Sequence, residues 1–140
     1  MRSDPLNLIV RMSIRTLRAG GEVLCIVPQN HYEFWAAATR PRVANGLGLS
    51  IAECQLEVVR ISRIFYLLQD SHNLLDEWQR LVAAYGCHGR VSYDARLVAA
   101  MSTHGLTRLL TLNPSDFARF SGLTLIDPTA GSPPAAPAGP

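Results

Sequence analysis

The chain has no lysine. All 13 of its basic residues are arginine, set against 11 acidic residues, so the net charge is only +2 over 140 residues. So even a balance gives no whole-molecule field of the kind that marks a nucleic-acid binder. An all-arginine set does grip phosphate bidentately, which suits an RNA substrate, and it equally fits the codon usage of a GC-rich genome. Cysteine is scarce too: Cys25, Cys54 and Cys87 show no paired spacing. Three scattered thiols in apolar surroundings exclude a disulfide framework, argue against zinc and point to a reduced, cytoplasmic protein. No apolar run is long enough to cross a membrane, because Arg11, Arg15 and Arg18 interrupt the first one, and the same arginines spoil a signal-peptide reading. The remainder, 48% apolar and 17% charged, is the profile of one soluble globular domain.

Taken in order, residues 5–19 carry an amphipathic helical stripe of Leu6, Ile9, Val10, Ile14 and Leu17. Asp4 is placed to cap it and Gly20-Gly21 to stop it. Residues 23–27 read as a buried strand ended by Pro28. A helix from Gln29 to Thr39 follows, with Asn30 and Glu33 on one side, then a loop containing Asn45-Gly46. Ser50-Ile51-Ala52-Glu53 is a capping box, predicting a helix that runs to about Leu68. Leu74, Leu75, Trp78, Leu81, Val82 and Tyr85 outline the next helix, closed by Gly86. That antiparallel pair can cover the core or serve as a dimer surface. From Thr129 onward the chain is Ala, Pro, Gly and Ser, the composition of a disordered tail, leaving residues 1–128 as the domain.

Residues 91–117 carry the strongest local signals. Ser92 is a candidate cap, with Asp94 in the first turn, where a negative charge suits the helix dipole. Leu97, Val98 and Met101 keep helical spacing up to Gly105, a left-handed terminator. Residues 106–112 form a short apolar run, as in a strand covered on both faces. Asn113 is then a candidate cap, with Pro114 at the first position and Asp116 at the third. Residues 123–126 read as a last short strand.

Glu33, Asp94 and Asp116 all fall near strand-to-helix junctions or helix starts, and the carboxyl edge of an open parallel sheet is where ligands bind. Two carboxylates about 4 Å apart repel by roughly 4 kcal/mol at an effective dielectric near 20. A hard divalent cation with oxygen ligands removes that cost, and Mg²⁺ or Mn²⁺ fits carboxylates, waters and a substrate phosphate. Taken singly, Asp94 and Asp116 read as helix-start charges and Glu33 as a surface acid. Arg96 and Arg90 can meet phosphate or simply face solvent. His31 and His104 lack the partner spacing of a general base.

The segments Pro28-Gln29-Asn30-His31-Tyr32-Glu33-Phe34-Trp35, Ser92-Tyr93-Asp94-Ala95-Arg96-Leu97-Val98-Ala99, Leu109-Leu110-Thr111-Leu112-Asn113-Pro114-Ser115-Asp116-Phe117 and Gly122-Leu123-Thr124-Leu125-Ile126-Asp127-Pro128 resemble, in order, the PIN domain family, and in particular its VapC-type toxin ribonucleases. The resemblance implies an α/β fold, a three-layer sandwich with a small parallel sheet flanked by helices. It implies Mg²⁺- or Mn²⁺-dependent RNA hydrolysis, with Glu33, Asp94 and Asp116 at the catalytic and metal positions. Thr111, Asn113, Ser115 and Arg96 fall at substrate-side positions. It also implies an antitoxin protein as partner, and a homodimer.

One family feature is not found: a first, central strand ending in an aspartate. The expectation is therefore a domain truncated at its N-terminus. Such a strand buries about four large apolar side chains at roughly 1.5–3 kcal/mol each. That total of roughly 6–12 kcal/mol is comparable with a typical stability of about 5–15 kcal/mol. The expected activity is accordingly reduced or absent. The alternative is a non-catalytic remnant that binds only an antitoxin or another PIN protomer.

Overall fold

The computed structural model describes residues 5–130. The proposed Asp4 cap and nearly all of the proline-rich tail lie outside the described residues. The chain is α/β, with five α-helices and four short strands among the described residues. The described residues divide into two compact units: residues 5–22 with 73–130, and residues 23–72.

The first unit holds helix α1 (Pro5–Ala19), helices α4 (Leu74–Tyr85) and α5 (Val91–Thr103), and strands β3 (Arg108–Leu110) and β4 (Thr124–Ile126). Its centre is the packing of α4 on α5. Ala95, Ala99 and Ala100 are buried on α5 beside Val98 and Met101, and Leu74 and Leu81 are buried on α4. Small side chains let the two backbones approach, and two polar ties hold the pair in register. The Trp78 indole N–H donates to the Ser92 carbonyl at 2.8 Å, and the Ser102 hydroxyl donates to the Glu77 carboxylate at 3.0 Å. Both helices end as the glycines predict, with Gly86 at φ 59° and Gly105 at φ 69°, conformations that side chains with a Cβ rarely adopt.

Strand β3 pairs in parallel with β4, Leu109 opposite Leu125. The Thr124 N–H reaches the Thr107 carbonyl at 2.7 Å and the Thr111 N–H reaches the Ile126 carbonyl at 2.9 Å. The apolar run 106–112 is thus ordered as strand only over three residues. Its strand positions are half-buried and Leu112 is exposed. Beyond it, Pro114–Phe117 forms a 3-10 turn that packs on both α5 and β4, with Phe117 and Phe120 buried. The Tyr85 and Phe120 rings meet edge to face at 5.1 Å, and the Tyr85 and Ser121 hydroxyls are 2.7 Å apart.

The second unit holds strand β1 (Cys25–Ile26), helix α2 (Pro28–Thr39), helix α3 (Ile51–Ile64) and strand β2 (Tyr66–Leu67). Helix α2 packs on α3 around Ala38 and Cys54, both fully buried. The capping box forms as predicted: the Glu53 N–H donates to the Ser50 hydroxyl at 3.2 Å and the Ser50 N–H to the Glu53 carboxylate at 2.8 Å. The Ser50 N–H, and after it the Ser50 hydroxyl, hold the Glu53 carboxyl below its ordinary range by hydrogen-bonding its charged form.

Two expectations change here. The buried strand 23–27 shrinks to Cys25–Ile26, with Val23 exposed. The helix predicted to reach Leu68 stops at Ile64. Phe65 is extended, and Tyr66 and Leu67 pair in parallel with Cys25 and Ile26. The Tyr66 N–H to Leu24 carbonyl and Leu68 N–H to Ile26 carbonyl bonds, both 2.8 Å, draw the chain out of the helix. Within their units, helix α3 packs on α2 and helix α4 on α5.

Ala99 is fully buried in the α4–α5 unit, so Ala99→Leu should cost about 1–3 kcal/mol by overpacking, read as a lowered urea midpoint with an unchanged slope. The Arg80 guanidinium, hydrogen-bonded to Glu77 at 2.7 and 3.0 Å, holds the Glu77 carboxyl below its ordinary value of about 4.5; burial opposes this, and the Ser102 hydroxyl assists. A carboxyl depressed in the folded state stabilises above its unfolded value and loses that contribution as pH falls through the folded one. Below pH about 4.5 the native chain should therefore lose thermal stability more steeply than Glu77→Gln, measured as Tm against pH.

Candidate functional site

Asp94 lies in the first turn of α5 and is half-buried. Its neighbour Ala95 is fully buried, so the first turn is anchored by packing rather than by a side-chain cap. The expected cap is not formed at Ser92. The position before the helix is Arg90, in helical conformation, and the Ser92 hydroxyl donates to the Gly89 carbonyl at 2.6 Å. Ser92 already lies inside the helix, so its oxygen meets an upstream carbonyl rather than an unsatisfied N–H.

Asp116 is exposed at the third position of the Pro114–Phe117 turn, and its N–H donates to the Asn113 carbonyl at 3.1 Å. The next side chain, Phe117, is buried and fixes the turn against α5. Asn113 precedes the turn but makes no side-chain cap; its φ of −124° and ψ of 64° belong to neither helix nor ordinary cap. Its N–H instead donates to the Thr111 hydroxyl at 3.1 Å. Ser115 is exposed and Thr111 half-buried. Arg96, half-buried, lies on α5 two residues beyond Asp94. The two aspartates and the polar residues at 111–115 thus sit on elements of one unit that pack on each other.

Glu33 is carried by α2 in the second unit. It is exposed and accepts a hydrogen bond at 2.9 Å from the amide of Gln29, a buried residue. Among the described residues, no group of three or more His, Cys, Asp and Glu side chains is gathered so as to hold a metal ion. His31 has a buried Nδ1 without a hydrogen-bond partner among the described residues, and His104 ends α5.

The sequence reading missed an open cleft of about 300 Å³ lined by Leu6, Asn7, Val10, Arg11 and Leu112. It lies where α1 meets the segment just past β3. Leu6 and Val10 were recognisable as stripe residues of α1; nothing local marks Leu112 as their neighbour, since the contact joins positions a hundred residues apart.

No protein-family model and no curated protein matches this chain. Among solved structures, the chain is similar to part of a toxin-antitoxin complex from Klebsiella pneumoniae, with 25% sequence identity and a TM-score of 0.43. The match covers 55% of this chain and 58% of that one, so it spans little more than half the length of either. No described helix is long and apolar enough to cross a membrane.

The exposed and buried neighbours in the 113–117 turn should separate cleanly. Asp116→Asn should change stability by no more than about 0.5 kcal/mol, while Phe117→Ala should cost about 3–5 kcal/mol, both read by chemical denaturation.

Proposed function

We propose that this chain is a PIN-type, VapC-like protein whose chemistry, where it retains any, is metal-dependent cleavage of RNA. The observation that supports the reading is that Asp94 and Asp116 are carried by packed elements of one unit, Asp116 following the carboxyl end of a parallel strand. In parallel α/β structures that strand end is where ligands gather. The order of the four sequence segments around these residues supports it further.

The donor chemistry suits Mg²⁺ or Mn²⁺. Both aspartates offer only oxygen, and Mg²⁺ is commonly held by one or two carboxylates together with substrate phosphate. When bound, such an ion supplies charge neutralisation at the phosphodiester and activation of a water nucleophile. The residues of the chain do the rest. Phe117 holds the turn that presents Asp116, and Ala95 seats the turn that presents Asp94. Thr111, Asn113 and Ser115 offer hydroxyl and amide groups along one short segment for RNA sugar and phosphate. Arg96 adds a cation on the same helix as Asp94. Glu33 remains the third acid of the proposal on sequence grounds.

The second reading is a non-catalytic protein that binds an antitoxin or another PIN protomer. It is favoured by α1, which leaves Leu6, Leu8, Ile9 and Met12 exposed and buries only Leu17. Apolar side chains grouped on one helix in this way mark a surface for another protein.

A cleavage assay on structured RNA with Mg²⁺ tests the first reading. Slow cleavage is expected, abolished by EDTA and reduced at least about tenfold in Asp94→Asn and in Asp116→Asn at unchanged Tm. Unchanged rates in both variants overturn it. Complete inactivity of the folded chain selects the second reading.

A further inference from the structure

Helix α1 carries two features: the first already favours the partner-binding reading above, which this inference deepens and rests on, and the second is used by neither the fold nor the proposed chemistry. The first is its exposed apolar surface. Leu8 and Met12, one turn apart, are 55% and 58% exposed, with Ile9 beside them. The second is a row of arginines. Arg11, Arg15 and Arg18 recur at i, i+4 and i+7, and so line one side of the helix. None of them forms an ion pair with a described residue, and α1 itself contains no acidic residue. The row runs between two apolar borders. On one side is the Leu8–Met12 ridge; on the other is the cleft lined by Leu6, Val10 and Leu112, with Arg11 at its rim.

We propose that the outer face of α1 docks an acidic amphipathic helix of a partner protein. Its carboxylates would repeat at i, i+4 and i+7 against Arg11, Arg15 and Arg18. Its leucine-type side chains would cover Leu8 and Met12 and enter the cleft.

The charge pattern selects this occupant. A second copy of the chain brings an equally basic α1, so α1-to-α1 pairing sets arginine against arginine. An RNA strand satisfies the arginines but leaves the aliphatic ridge in water. A partner helix with three carboxylates at helical spacing meets both requirements, because rows three and four residues apart lie on one face. The inference does not depend on the nuclease reading and survives its failure.

The test uses the full chain and a fluorescein-labelled 18-residue helical peptide. The peptide bears glutamate at i, i+4 and i+7, flanked by leucines, and binding is read by fluorescence anisotropy. Saturable binding is expected, weakening with salt and falling on the order of tenfold in the double variant Arg11→Glu, Arg15→Glu. A peptide with lysine replacing glutamate should bind that variant and not the native chain, which separates charge matching from damage to the helix. Met12→Ser, which leaves the charges in place, should also weaken binding. The proposal is overturned by any of three results: no binding by the native chain, equal binding of a sequence-scrambled peptide, or failure of the lysine peptide to bind the reversed variant. It is likewise overturned if a 12-nucleotide RNA or vesicles of anionic lipid bind the native chain more tightly than the peptide does, with the same dependence on Arg11 and Arg15.

Discussion

The close approach of α4 and α5 is the constraint on which the first unit rests. Ala95, Ala99 and Ala100 bring the helices together, and the Trp78 and Ser102 hydrogen bonds prevent them from sliding. Everything chemically interesting in that unit is referred to this pair. Asp94 rides on the first turn of α5, and the turn bearing Asp116 is pinned to α5 through Phe117. The 117–121 segment is held to α4 by the Tyr85 ring and hydroxyl. Packing of this kind tolerates little change in volume, because interiors are filled at near-crystalline density.

The strands contribute differently. Parallel pairs are stable only when their faces are covered, and a two-stranded sheet is marginal in water. Here β1–β2 pairs over two residues per strand and β3–β4 over three. Neither can be the source of stability in its unit. Each is better seen as the product of the helices it follows. The β3–β4 pair is held where the Pro114–Phe117 turn packs on α5 and β4, and the β1–β2 pair where α3 hands its chain directly to Tyr66. The half-buried strand positions of β3, where full burial was expected, follow from that slender support.

Local signals were legible to the residue where the physics is local. The helix expected over 5–19 spans Pro5–Ala19, the Ser50–Glu53 box closes both its bonds, and Gly86 and Gly105 terminate their helices. The failure of the helix expected to reach Leu68 is non-local. Ile64-Phe65-Tyr66-Leu67-Leu68 continues a helical apolar pattern, and only pairing with Cys25 and Ile26, some forty residues earlier, makes it a strand. Its aromatic and aliphatic crowding was the available cue, but such runs do not by themselves separate helix from strand. Ser92 and Asn113 are the right residue types for caps, yet the Ser92 hydroxyl donates to the Gly89 carbonyl, and Asn113 has a backbone conformation, φ −124° and ψ 64°, that is not that of an ordinary cap. Among the candidate residues, the positions of Asp94 in the first turn of a helix and of Asp116 in the turn after Pro114 were readable from local signals. That Glu33 is carried by a different compact unit was not, since nothing along the chain announces how helices are shared between units.

Helix α1 shows how local specification and tertiary role can part company. A 15-residue helix is marginal alone in water, and most helical stability in proteins comes from burying one face. Yet α1 buries only Leu17, at its carboxyl end. There the chain is secured twice, by the Glu22 N–H on the Leu17 carbonyl and by the ion pair between Glu22 and Arg108 of β3. Toward the other end, Leu6, Asn7, Val10 and Arg11 line the open cleft with Leu112. The helix is therefore anchored at one end and underpacked along its length. Leu8, Ile9 and Met12 remain exposed and do not line that cleft, so they add nothing to the burial of the helix. A group that entered the cleft would stabilise the helix and the segment after β3 together, since both border it.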